Sequence, residues 1–233
     1  AAVAGLLGWC VQGRRRAYST DWIGRSLAFT VRQARGELPE LERQIDRHAA
    51  RLAQRLREGL DDEVLVVGHS SGTMLAVAIV ARALAQLEPA GASRRPGLSL
   101  LTLGQCIPTL GLLPPAQQFR RELLAVATCP DVHWVDFSAP PDACCFPLVD
   151  PLQACGIARP AGGAAAPLLL SPRFSRMFEA GDYARRKRDK FGLHFQYLMA
   201  SDRPAGYDYF AITAGRLALA QRYGAVAARP PES

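Results

Sequence analysis

From Leu38 onward, apolar side chains recur at Leu41, Ile45, Ala49, Leu52, Leu56 and Leu60, with Arg, Glu and Gln between them. That 3.6-residue spacing predicts an amphipathic helix closed at Gly59. Residues 63–67 (EVLVV) break the period: a short β-branched run without polar alternation predicts a strand covered on both faces. Residues 72–87 (GTMLAVAIVARALAQL) are Ala-rich and apolar nearly all round, as for a helix packed inside. After a loop at 88–97, residues 98–103 (LSLLTL) predict a second buried strand, 115–127 a helix and 132–137 (VHWVDF) a third strand. Residues 160–172, rich in Ala, Gly and Pro, predict an exposed loop. Residues 195–200 (FQYLMA) predict a fourth strand, and 209–223 a closing helix. Strands separated by helices imply βαβ units, hence an α/β fold with a mainly parallel sheet flanked by helices. No internal repeat interrupts the pattern.

Chemistry enters at the end of the first strand. Gly68-His69-Ser70-Ser71-Gly72 has the form G-x-S-x-G, directly after EVLVV and directly before a helix. A strand running into a helix with almost no loop forces a cramped turn, and glycines at its flanks remove Cβ atoms that would collide. Ser70 is then held in a strained conformation with its Oγ exposed at the top of the sheet. The Ser71 amide falls at a helix N-terminus, where unpaired N–H groups and the dipole favour a developing oxyanion.

On the run VLVVGHSSGTMLAVAI and the βαβ order up to about Ala200, the chain resembles the α/β-hydrolase superfamily, in its lipase/esterase-like branch. The resemblance implies a Ser–acid–His triad in that chain order, with Ser70 as nucleophile and the Ser71 amide as one oxyanion donor. It makes His69 a neighbour within the elbow and not the base. The acid is sought on or after the third strand, among Asp136, Asp142 and Asp150. Asp142 follows the turn-forming Ala139-Pro140-Pro141 and falls in a loop at the strand's C-terminal edge, where such folds bind ligands, and is preferred. Asp136 lies inside the strand, and each aspartate could instead cap a helix or form a turn.

Four histidines are present, and His48, His69 and His133 fall on a helix, in the elbow and at a strand's start. His194 is left as the base. It precedes the expected fourth strand, whereas the resemblance places the base after the last one. So residues 195–200 are not the final strand, or the loop differs, or the triad is incomplete. Such hydrolases also carry several strands before the elbow. Here 67 residues precede Gly68 and most read as helix, so the N-terminal strands are reduced or missing. A chain without them is expected to expose a sheet edge, to hold half an oxyanion hole and to show weak or no activity.

Composition bounds these readings. The chain has 233 residues, 49% hydrophobic, with 28 Lys+Arg against 21 Asp+Glu and a net charge of +7. That is enough apolar matter for a core and argues against extended disorder. Six cysteines without CxxC or zinc-finger spacing imply reduced thiols in a cytoplasmic setting, and no cofactor or metal motif is present. The vicinal Cys144-Cys145 reads as two buried small residues. Residues 1–11 are apolar and followed by Arg14-Arg15-Arg16. The segment 1–16 is therefore either a buried strand or short helix, or the end of a truncated membrane helix, with 17–233 as the hydrolase-like domain. The basic run 183–190 (YARRKRDK) is a solvated helix face or a contact for anionic lipid head groups; its few aromatics argue against nucleic acid. Two functions remain: a serine hydrolase acting on a carboxylic (lipid or acyl) ester, or a catalytically silent hydrolase-fold scaffold beside a membrane.

Overall fold

A computed structural model of the chain describes residues 20–87, 96–161, 166–203 and 205–227. Helix α1 (Thr20–Ala34) leads to α2 (Pro39–Glu58), β1 (Glu63–His69), α3 (Gly72–Leu84) and β2 (Gly97–Leu103). A short α4 (Ile107–Gly111), α5 (Gln117–Thr128), β3 (Val132–Phe137), α6 (Pro151–Ala154) and β4 (Leu168–Leu170) follow. The C-terminal third holds α7 (Ala180–Arg188), α8 (Lys190–Phe195), α9 (Tyr209–Ala214) and α10 (Leu219–Ala227).

The strands pair in parallel in the order β1-β2-β3-β4. Strand periodicity divides their side chains between two cores. Leu98, Leu100, Val132 and Trp134 face one side and pack with α2, α3 and α5. Leu101, Leu103, Val135 and Phe137 face the other, under Phe174, Met177, Leu193, Tyr197, Tyr207, Ile212 and Tyr223. With both faces of the two central strands covered, β2 and β3 are buried almost throughout. Helix α3, lying between α2, α5 and the sheet, buries Met74, Val77, Val80, Ala81 and Ala83, which accounts for its lack of a polar face.

Several expectations need correction. Among the described strands β1 is an edge, and so it is half-buried with Val67 exposed, not covered on both faces. The fourth strand is Leu168–Leu170, inside the stretch expected to be an exposed loop. Residues 195–200 form no strand; they hold the end of α8 and the 3₁₀ turn Gln196–Leu198. The closing helix is two helices, since Gly215 takes an extended conformation after α9. The basic run covers the end of α7, which buries no side chain, and reaches the first residue of α8. The expectations for residues 1–16 and Cys10 lie outside the described residues. Among the described residues, no helix is long and apolar enough to cross a membrane.

Candidate active site

The site lies at the C-terminal edge of the sheet, the edge at which open parallel sheets meet their ligands. There the ladder runs on by one residue past each strand: Ser70 N–H donates to Leu103 O at 2.9 Å, Gly104 N–H to Phe137 O at 2.8 Å and Ser138 N–H to Leu170 O at 3.1 Å. Three segments that carry polar side chains are thereby fixed side by side.

In the first segment, Ser70 takes φ 55°, a left-handed conformation that costs a non-glycine residue roughly 1–2 kcal/mol. Thr73 offsets part of that cost. Its Oγ1 donates to Ser70 O at 2.6 Å and accepts from Cys106 N–H at 3.2 Å, tying the elbow to the segment after β2. Ser70 Oγ lies 3.8 Å from the Cys106 thiol. Ser71 sits at the N-cap of α3, and its amide has no acceptor among the described residues. The two glycines of the motif differ. A Cβ on Gly68 would lie 2.8 Å from Gly72 O, whereas one on Gly72 meets no described atom within 4 Å. The expected collision holds for Gly68 alone.

The three aspartates separate cleanly. Asp142 is 2% exposed and its Oδ2 meets His194 Nδ1 at 2.8 Å. The same oxygen accepts from Tyr197 O–H at 3.1 Å, while Oδ1 accepts from Cys144 N–H at 2.9 Å. Burial alone pushes the Asp142 carboxyl up. The hydrogen bond and charge of His194, with the Cys144 amide, outweigh it and hold the group below its ordinary value. Asp150 instead caps α6, accepting from Leu152 and Gln153 N–H, and pairs with Arg159 at 2.8 Å. Asp136 is buried in the strand, where it accepts from Thr102 and Ser138 hydroxyls, each at 2.7 Å. Ser138 Oγ in turn accepts from Leu148 N–H, so Asp136 braces the loop that carries Asp142.

Burial pushes the Asp136 carboxyl up to about 7, against the two hydroxyls that favour the carboxylate. A carboxyl with a raised folded value binds more protons folded than unfolded. Stability therefore falls as pH rises from near 4 to near 7 and levels off above. In urea denaturation, the stability of Asp136→Asn relative to the parent should rise by up to roughly 4 kcal/mol over that window. A difference flat with pH would mean that Asp136 is ionised throughout.

His194 is fully buried, and its Nε2 has no hydrogen-bond partner among the described residues. His69 Nε2–H donates to His194 O at 2.9 Å, and the two rings lie 4.8 Å apart. Burial pulls His69 below its ordinary value, and its ring serves to fix the backbone of His194. His48 is exposed on α2, and His133 lies at the start of β3. Because the last described strand is Leu168–Leu170, His194 follows it.

Sequence reasoning missed Tyr197, Thr73, Gln105 and Cys106. Gln105, 1% exposed, donates to Phe146 O and Val149 O and so fastens the Asp142 loop to the segment after β2. The five described cysteines are free. Burial raises Cys144 and Cys145, and pushes Cys106 up to about 11, so these thiols stay protonated. Cys144 and Cys145 are half-buried, not fully enclosed. Donor atoms of Asp142, Cys144 and His194 lie within 4.8 Å of one another, close enough for one metal ion, although the first and last already satisfy each other.

Beside Ser70 opens a cavity of about 220 Å³, walled by α1 and the start of α3. A second cavity of about 300 Å³, among α2, α3 and α5, is lined by the Arg82–Glu42–Glu122 ion pairs and holds no nucleophile. No family model, curated protein or solved structure matches the chain.

Proposed function

We propose that the protein is a serine hydrolase that cleaves a carboxylic ester with Ser70, His194 and Asp142, in an α/β-hydrolase-like fold. One observation carries the reading. Two wholly buried side chains, Asp142 and His194, are joined at Nδ1 while Nε2 is left without a partner, and His69, the neighbour of a serine in a left-handed turn, holds the backbone of His194. A carboxylate on Nδ1–H leaves Nε2 as the basic nitrogen, the tautomer a general base requires. The place of His194 after the last described strand also agrees with the order the resemblance implies.

In this reading the Ser70 hydroxyl turns from Cys106 toward Nε2, which takes its proton as Oγ attacks the carbonyl carbon. The carbonyl oxygen gains the electron pair and faces the Ser71 amide at the start of α3. Collapse breaks the bond to the alcohol, whose oxygen receives the proton from Nε2. Water, activated by the same nitrogen, then releases the acid from Ser70. Asp142 stays ionised throughout and stabilises the imidazolium.

A fluorophosphonate probe tests this. Ser70 should be labelled, the label should vanish in Ser70→Ala, and the labelling rate should fall at least about 10³-fold in His194→Ala. A folded protein that takes no label favours the silent scaffold instead.

A further inference from the structure

The cavity beside Ser70 is lined by Trp22, Ile23 and Leu27 of α1, by Met74 of α3, and by Thr109 and Cys144. No Asp, Glu, Lys, Arg or His side chain lines it among the described residues. Ser70 and Ser71 form part of the same wall, so a group seated there is continuous with the carbon that Ser70 would attack. His194 is not part of that wall. Nε2 has to protonate the departing oxygen, so the alcohol must leave on the imidazole side. The group in the cavity is then the one that stays on Ser70.

We propose that α1 and the start of α3 form an acyl pocket for a short, uncharged aliphatic chain, with Leu27 setting its length. This rests on the serine hydrolase reading above. An uncharged wall would leave a carboxylate or ammonium on the chain desolvated and unpaired. Size narrows the class further. The volume of about 220 Å³ lies below the roughly 300–1,000 Å³ of sites for drug-sized ligands. A cleft of that size seats a short aliphatic chain beside the ester carbonyl more readily than a bulky ring system. Leu27 is 50% exposed, so its side chain can be shortened or enlarged without opening the core.

The test uses the full chain, its Leu27→Ala and Leu27→Trp variants, and the p-nitrophenyl esters of acetate, butyrate, hexanoate and decanoate. Ratios of kcat/KM between esters are read within each protein, so a change in overall rate does not enter. The parent should prefer butyrate or hexanoate over decanoate by tenfold or more. Leu27→Ala should move the optimum to a longer chain, with up to about fourfold for each methylene newly accommodated. Leu27→Trp should move it to acetate. If the parent is labelled at Ser70 by a fluorophosphonate but the three length profiles coincide, the pocket assignment falls and the hydrolase reading stands. If the parent takes no label, the hydrolase reading falls and the pocket with it.

Discussion

Under the proposed triad, Asp142→Asn is expected to lower ester turnover by about 10⁴-fold, the scale on which triads respond when the base is held in the wrong tautomer. The expectation follows from the hydrogen bonds around the side chain. Three donors converge on the carboxylate: Cys144 N–H on Oδ1, and His194 Nδ1–H with Tyr197 O–H on Oδ2. An amide offers one acceptor oxygen in place of two, so one donor must face an NH₂ group whichever way it is turned. If the NH₂ replaces Oδ2, His194 must accept at Nδ1 and carry its proton on Nε2, where it cannot receive another from Ser70. If it replaces Oδ1, the Cys144 amide loses its partner and the loop bearing residue 142 is freed. Steady-state turnover of p-nitrophenyl butyrate, with near-ultraviolet circular dichroism to show intact packing, measures the effect. A folded Asp142→Asn protein within tenfold of the parent would remove Asp142 from the mechanism.

The parts of this site that could be read in the sequence are those fixed by local periodicity. EVLVV followed by an apolar helix left little choice about the elbow, and a turn of Ala139-Pro140-Pro141 placed Asp142 in a loop at the sheet edge. The run at 195–200 was misleading because a short apolar segment has the same appearance in a strand and in a buried helical turn. A helical reading would have set His194 and Tyr197 three apart on one face, as they stand against Asp142. Strand β4 is three residues flanked by proline-rich sequence, too short for any period to show. Thr73, Gln105 and Cys106 gain their roles only from contacts between segments some 30 to 40 residues apart. The wall that α1 supplies to the cavity is likewise a product of packing. Apolar residues at 22, 23 and 27 form no complete stripe, and all three remain largely exposed.

The two glycines of Gly68-x-Ser70-x-Gly72 should respond differently to the same substitution. In Gly68→Ala the new methyl meets Gly72 O at 2.8 Å, Ala76 Cβ at 2.9 Å and Thr73 Cα at 2.9 Å. Two of these are backbone atoms and the third is the first atom of a side chain, so no rotamer change can relieve the contact. The first turn of α3 has to move off β1, pulling on the Thr73 hydroxyl that bonds both Ser70 O and the Cys106 amide. Overpacking of this kind costs up to about 3 kcal/mol, and here it also shifts the carbonyl that supports the strained serine. Gly72→Ala meets nothing among the described atoms, and at the first position of α3 the added methyl carries no steric cost. Urea midpoints should therefore fall for Gly68→Ala and hold for Gly72→Ala, with fluorophosphonate labelling of Ser70 slowed in the first. Equal destabilisation by both would mean that α3 does not approach β1 as closely as these contacts require, and the tight turn that presents Ser70 would lose its physical basis.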